Sequence, residues 1–370
     1  MAALQELTRA VSRRGVPVER TALSMRDELV TCALGTWMLS GLYLDGWAHR
    51  NRDLQDSITT PWHAIFYAGY ICFATWIVLL VARRRRDGHR GLEAIPLGYG
   101  VALLGIATFT LGGAGDQVWH LSLGVEQDIN AFLSPTHWLL AIGMFLMVSS
   151  PLRAGWSAPG PEAPRLKEFA AILWSLVLTL AMFFFAFNYM SFFIGDSPTI
   201  DAEKFAAGLG PGVSDALAQS INERLRILGL LMIVFTSVAM IAVTLFAQRR
   251  WKLPAGSVTA MFFVTANAAN AIWEYQHGWV VLAALAGGIA GDWYIQRFDP
   301  KPSKLVAWRY FPLAVLTPMW LTYYAIMFFG YEMNWPAEMW TGSIVLVVLQ
   351  CTLLTFLMRP FDNPVAGGDR

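Results

Sequence analysis

Ten apolar stretches recur along this 370-residue chain, near 28–49, 61–82, 95–120, 135–151, 168–194, 224–247, 255–277, 279–297, 310–331 and 337–358. Each approaches or reaches the ~20 residues that a helix needs to cross a bilayer. The chain therefore reads as all-α: a polytopic integral membrane helix bundle of about ten transmembrane helices. Composition agrees, since only 14% of residues are charged, against about 25% in a soluble domain. The net charge of +1 gives no reason to expect nucleic acid as a partner. Residues 1–26 carry five arginines and no apolar core, unlike a signal peptide. Cys32, Cys72 and Cys351 all fall inside apolar runs, which argues against a disulfide framework and against a zinc knuckle.

Charge sets the expected orientation. With the N-terminus inside, the connections on the inner side hold 22 of the 27 Lys and Arg. The outer side keeps Arg50, Arg52, Lys204, Arg224 and Arg226. This asymmetry places both termini in the cytoplasm of a multi-pass plasma (inner) membrane protein. Trp47, Trp62, Trp119, Trp138, Trp279 and Trp340 stand at the ends of apolar runs, as interfacial anchors do.

Within the first four stretches a pattern occurs twice. GLYLDGWAH is followed by TTPWHAIFYAG, and GGAGDQVWH by LSPTHWLLAIG. A step of 71 carries Gly41, Asp45 and His49 onto Gly112, Asp116 and His120. After a three-residue loop insertion, Pro61, His63 and Gly69 fall on Pro135, His137 and Gly143. This reads as an internal repeat of two helical hairpins. An Asp and a His four residues apart share a helix face. Thr60 or Ser134 fits an N-cap and Pro61 or Pro135 the first helical position, so His63 and His137 fall in the first turn of the next helix. A short outer loop then brings that turn beside the end of the preceding helix. Asp45, His49 and His63 form one candidate triad, and Asp116, His120 and His137 the other. One carboxylate with two imidazoles suits copper, zinc or iron, bound as one or two ions. The competing reading of the same side chains is a hydrogen-bond network between helices.

Other polar residues are candidates for a place just behind the ligands. Asn267, Asn270, Glu274 and His277 share a face of the seventh stretch, where interhelical hydrogen bonding is the favoured role. Glu126 and Asp128 lie in the loop of the second hairpin, and Asp53 and Asp56 in that of the first. Asp292, in GGIAGDWY, reads as a buried helix–helix contact. The expected organisation is a cytoplasmic segment 1–27, repeat-bearing helices 1–4 over 28–150, and a Pro/Gly-rich cytoplasmic linker 151–167. Helices 5–6 with a long outer loop follow over 168–250, helices 7–10 over 251–358, and a cytoplasmic tail over 359–370. In the outer loop, DALAQSINERLR suggests a short surface helix.

The Asp, His and prolyl-His spacing resembles the C subunit of the copper membrane monooxygenases, the particulate methane and ammonia monooxygenases. That subunit has an Asp–His–His triad matched by Asp45, His49 and His63, with thirteen residues between the histidines here. Its second triad, with Asn in place of Asp, is matched by Asp116, His120 and His137, with sixteen between. The resemblance covers roughly the first 250 residues, and only the ligand spacing is specific. It implies copper near the outer membrane face, catalysis at those six residues, and oxidation of a small apolar molecule by O2 with an external electron donor. The chain departs from it at Asp116, in the longer second loop, and in helices 7–10. It also lacks the β-rich soluble domain of the family's B subunit. Additional subunits, or a homo-oligomer, fit that last departure. Two other classes stay open: a zinc-dependent membrane hydrolase acting on lipid, and a non-enzymatic metal-binding membrane protein.

Overall fold

The computed structural model describes residues 20–52, 60–124, 126, 129–195, 197–201, 204, 208 and 214–358. Asp53, Asp56 and Asp128, much of segment 1–27, and the tail 359–370 lie outside them. The described residues form helices, turns and loops, with no strand among them.

The helices are α1 (Met25–Asn51), α2 (Pro61–Arg86), α3 (Gly100–Leu123), the short α4 (Ile129–Leu133), α5 (Pro135–Val148) and α6 (Ser150–Ser157). They continue with α7 (Leu166–Ala186), α8 (Asp215–Gln248), α9 (Ser257–Ile272), α10 (Val281–Phe298), α11 (Leu305–Gly330) and α12 (Ala337–Leu357). Among the described residues seven spans are long and apolar enough to cross a membrane, or eight if the bent pair α5–α6 counts as one. The expected number was ten. Two helices account for most of the difference. In α1 the polar load of Glu28, Asp45 and His49, with several Ser, Thr and Gly, dilutes the apolar run. The helix α9 stops after 16 residues at Ile272, because Glu274 and Tyr275 turn into the left-handed region at φ 52° and 55°.

Other boundaries move for local reasons. The linker expected over 151–167 begins as helix α6, which meets α5 at 42°. Pro151 cannot donate to Met147 O, so the α5 ladder breaks there, and Ser150 Oγ donates to that carbonyl instead at 2.7 Å. The segment expected as a separate surface helix is continuous with the sixth span, giving the 34-residue α8, capped by Ser214. The fifth span ends at Ala186 and passes into 3-10 turns.

Two hairpins stand side by side, α1 with α2 and α3 with α5. Each is closed by glycines that let backbones touch, as small residues do between membrane helices. A Cβ on Gly41 would come within 2.7 Å of Phe66 Cα, and one on Gly69 within 2.7 Å of Met38 Cα. In the other pair, a Cβ on Gly112 would come within 2.9 Å of Leu140 N, and one on Gly143 within 2.7 Å of Phe109 N. Between the hairpins Tyr70 stacks on Phe109 with ring centroids 4.1 Å apart, and its hydroxyl lies 2.6 Å from Thr110 Oγ1. These residues belong to one apolar core; α7 to α12 build a second. The helix α7 packs on both hairpins and on α9, which ties the two cores together. Asp292 on α10 is the buried helix–helix contact expected of it. It accepts from the backbone N–H of Val258 and Thr259, both at 3.0 Å, and so caps the start of α9.

Candidate metal centre

Asp45 and His49 project from the last turns of α1, and Asp116 and His120 from the last turns of α3. In each hairpin the partner helix begins at a proline. Thr60 caps α2 as expected, its hydroxyl accepting from His63 N. Ser134 does not cap α5 with its side chain. Its hydroxyl lies 2.9 Å from Thr136 Oγ1 instead.

Both sets of three come together. In the first, His63 Nε2 lies 3.2 Å and His49 Nε2 3.7 Å from Asp45 Oδ1. The two Nε2 atoms are 3.4 Å apart. In the second, His137 Nε2 is 3.1 Å and His120 Nε2 3.7 Å from Asp116 Oδ1. All three ligand atoms of each set lie within 4.8 Å of one another. Bonds of about 2.0–2.1 Å to a single ion put neighbouring tetrahedral ligands about 3.4 Å apart. The separations of the first set, and those of both histidines to Asp116 in the second, bracket that edge, so each set can close on one ion.

The far side of each prolyl imidazole is held. His137 Nδ1 donates to the carbonyl of Ala131 at 2.6 Å, which leaves Nε2 as the nitrogen with a lone pair. His63 Nδ1 lies 2.9 Å from Thr60 Oγ1. Such contacts fix tautomer and ring orientation in histidines that bind metal. Asp116 is held as well: Thr136 Oγ1 donates to its Oδ1 at 2.8 Å.

Glu126 joins the second set, with Oε2 3.1 Å from His120 Nε2. Burial pushes its carboxyl up, but the nearby Ser134 hydroxyl, a backbone N–H and the charges of His137 and His120 outweigh this. The net result holds Glu126 below the usual carboxylate range, ionised at neutral pH. Of the other candidates, Glu274 accepts from Trp47 Nε1 at 3.2 Å and so braces the end of α1. Asn270 is buried and donates to Phe193 O and Ala266 O. His277 packs its ring on Tyr331. Glu274, Asn270 and His277 do not line the cavity described next, so these three side chains contribute bracing where a direct approach to the ligands was one expectation.

All six side chains, and Glu126, line a single cavity of about 930 Å³. Its remaining wall is largely aliphatic and aromatic, with Leu42, Phe66, Leu140, Met144, Phe185 and Ile272. Tyr67 lines it too. It lies one turn beyond His63 on α2, with its ring 6.2 Å from the His63 ring. A Cβ on Gly113 of α3 would meet Tyr67 Cε1 at 3.9 Å. Sequence reasoning passed over Tyr67, although its position four residues after His63 puts it on the ligand face. It also passed over Thr136, whose reach to Asp116 depends on how α5 packs against α3.

The arrangement defines a class: a helical protein with membrane-length spans and two Asp–His–His clusters opening into one cavity. Set against known protein families, curated proteins and solved structures, the chain matches none of them.

Proposed function

We propose that the chain is a metal-dependent integral membrane oxidoreductase, resembling a copper membrane monooxygenase, that uses O2 to oxidise a small apolar or lipid-soluble substrate. The observation that carries this reading is the shared cavity: two sets of metal-ligating side chains face one space with an apolar wall. The donor set favours copper, with zinc or iron as alternatives, and the separations allow one ion per cluster. A bound copper ion would supply the redox chemistry that activates O2. In a monooxygenation one oxygen atom enters a C–H bond and the other leaves as water. Two electrons and two protons come from a donor outside the chain.

The residues of the chain divide the remaining tasks. Asp45, His49, His63, Asp116, His120 and His137 hold the metal. Thr60, Thr136 and the Ala131 carbonyl keep ligands aimed, so little reorganisation is needed on binding. The apolar wall accepts the substrate and keeps water away. Tyr67 lines the cavity one turn from His63, and passing a proton is the role its phenol would take there.

Orientation follows from charge. The excess of Lys and Arg on the opposite side supports a plasma (inner) membrane topology with cytoplasmic termini and the clusters toward the extracytoplasmic face. Arg83 to Arg86, at the far end of α2 from His63, agree with it. Two paired contacts support the internal repeat. Gly41 against Phe66 reappears as Gly112 against Leu140, and Gly69 against Met38 as Gly143 against Phe109. These pairs follow the steps of 71 and 74 that align the ligands. The long packing of α1 on α2 supports a membrane crossing by α1 as well. The lipid bilayer is one partner; a reductant is another, delivered by an additional subunit or a soluble carrier.

Metal analysis and oxygen uptake test the proposal together. Purified protein is expected to carry copper and to consume O2 when given a reductant and a small apolar substrate. Stoichiometric zinc with no redox response would sink it. That result would favour a zinc-dependent lipid hydrolase, because two imidazoles and a carboxylate with an open position also describe catalytic zinc.

A further inference from the structure

Glu126 is the one acidic side chain of the described cavity wall that belongs to neither triad. Its Oε2 stands 3.1 Å from His120 Nε2. That is the same separation as His137 Nε2 to Asp116 Oδ1 within the triad. Among the described residues its other oxygen, Oε1, is buried and makes no close hydrogen bond. The side chain is only 11% exposed. A carboxylate held this far from water with one oxygen unused is costly unless a cation or donor comes to it. The oxygen that is used leans on the very nitrogen that His120 would give to a metal. Once Nε2 turns its lone pair to an ion it has no proton to donate, and Glu126 loses that hydrogen bond. The ion itself is then the natural replacement partner.

We infer that Glu126 is the fourth ligand of the second cluster, so that Asp116, His120, His137 and Glu126 form a closed four-donor site for a divalent first-row metal. This rests on the reading of the clusters as metal sites and goes beyond it in making the two sites unequal. Four protein donors with two carboxylates bind a divalent ion more tightly than three and leave no position for an outside ligand in tetrahedral geometry. The atoms that lie within 4.8 Å of one another are those of Asp116, His120 and His137, so Glu126, already 3.1 Å from His120 Nε2, swings toward the other two to complete the set; the described donors of the first cluster are Asp45, His49 and His63. The second site therefore fills first and holds its ion.

The loop acids of the first hairpin, Asp53 and Asp56, lie outside the described residues and off the steps that align the ligands. Counting back 71 or 74 residues from Glu126 reaches Gln55 or Arg52. The Arg52 guanidinium lies over the Trp47 ring, 5.1 Å from its centroid.

The test uses Co2+ alone as the probe, because its visible absorption reports four-coordinate, tetrahedral binding. The full-length protein is titrated in detergent, with His49→Ala to isolate the second site and His120→Ala to isolate the first. The second site is expected to fill first in the wild type and to give the stronger tetrahedral absorption in His49→Ala. Adding Glu126→Gln to His49→Ala is expected to weaken Co2+ binding more than about 100-fold and to reduce that absorption, since loss of a ligand should exceed the 10–100-fold typical of an outer-shell loss; a smaller loss with an unchanged spectrum would make Glu126 a support for His120 and overturn the inference. Glu126→Asp, which shortens the side chain but keeps the charge, is expected to fall between. Equal affinity and spectra with and without Glu126 in the His49→Ala background would overturn the inference while leaving the metal centre intact. A wild-type protein that binds no Co2+, Cu2+ or Zn2+ would instead remove the metal-centre reading itself, and this inference with it. Melting curves of the metal-free variants exclude misfolding as the cause of a loss.

Discussion

In the first hairpin His63 is steered by Thr60, a hydroxyl three residues earlier on the same chain turn. In the second, His137 is steered by the backbone carbonyl of Ala131, six residues earlier. Position 136 is Thr, and its hydroxyl reaches Asp116; the matching position 62 is Trp, which has no hydroxyl to repeat that contact. Position 67 is Tyr and lines the cavity, where the second hairpin has Ala141. The ligands are thus alike and their surroundings are not. Metal sites take much of their affinity and reactivity from such surroundings. Two clusters built on the same backbone plan are therefore expected to differ in what they bind and how firmly.

The sharpest way to break the comparison is to delete a ligand from one side at a time. His49→Ala and His120→Ala are each expected to remove about half of the metal from the purified protein, since each cluster needs all its donors. Metal analysis reads this directly. Loss of all the metal in either variant would mean one shared site, and no loss in either would leave a hydrogen-bond network between helices. The second largest effect belongs to the tyrosine that only one hairpin has. Tyr67→Phe is expected to leave the metal content unchanged and to lower turnover on the order of 10²-fold, the usual range for a lost proton donor. Unchanged turnover with a confirmed substrate would reduce Tyr67 to packing.

A smaller effect is expected from the hydroxyl that only the second hairpin uses on its carboxylate. Thr136→Ala should weaken metal binding at the second cluster about tenfold and leave the first unaltered. Thr60→Ala should do the reverse. Chelator competition in the single-site variants separates the two. If Thr136→Ala weakened both clusters equally, they would have to share an ion or a rigid element.

The parts of this site that were legible in the sequence are those governed by helix periodicity. An Asp and a His four apart, and a His two residues after a helix-starting proline, have fixed directions before any packing is known. That is why Asp45, His49, His63 and their counterparts could be grouped. Tyr67 was within reach of the same rule. Thr136 was not, because its partner lies across a helix–helix contact; Glu126 could be named as a candidate from its loop, but its closeness to His120 depends on the course of that irregular loop. Neither distance follows from a period. The helix boundaries divide the same way. Long apolar runs such as those of α2 and α11 appear where expected. The early end of α9 depends on Glu274 and Tyr275 adopting left-handed backbone, which residues of that type rarely do. The start of α8 depends on Ser214 capping a polar stretch whose composition looked separable from the apolar span after it.

The smallest expected effect is on stability in acid, and it concerns the second hairpin alone. Glu126 is held below the usual carboxylate range in the folded protein, against about 4.3 for a free glutamate. A carboxylate depressed in this way stabilises the fold at every pH above its unfolded value. That contribution disappears as the pH falls through the folded value, because both states then bind the proton. Metal-free wild type and Glu126→Gln should therefore differ in melting temperature near neutral pH and converge once the pH has fallen through the depressed folded value. Working without metal matters here, since protons also compete with metal for the histidines and would add a larger acid dependence of their own. A difference that persisted unchanged into acid would show that Glu126 acts through packing rather than charge. The first hairpin provides the control: Thr60→Ala alters no carboxylate, so its difference from wild type should not follow this acid limb.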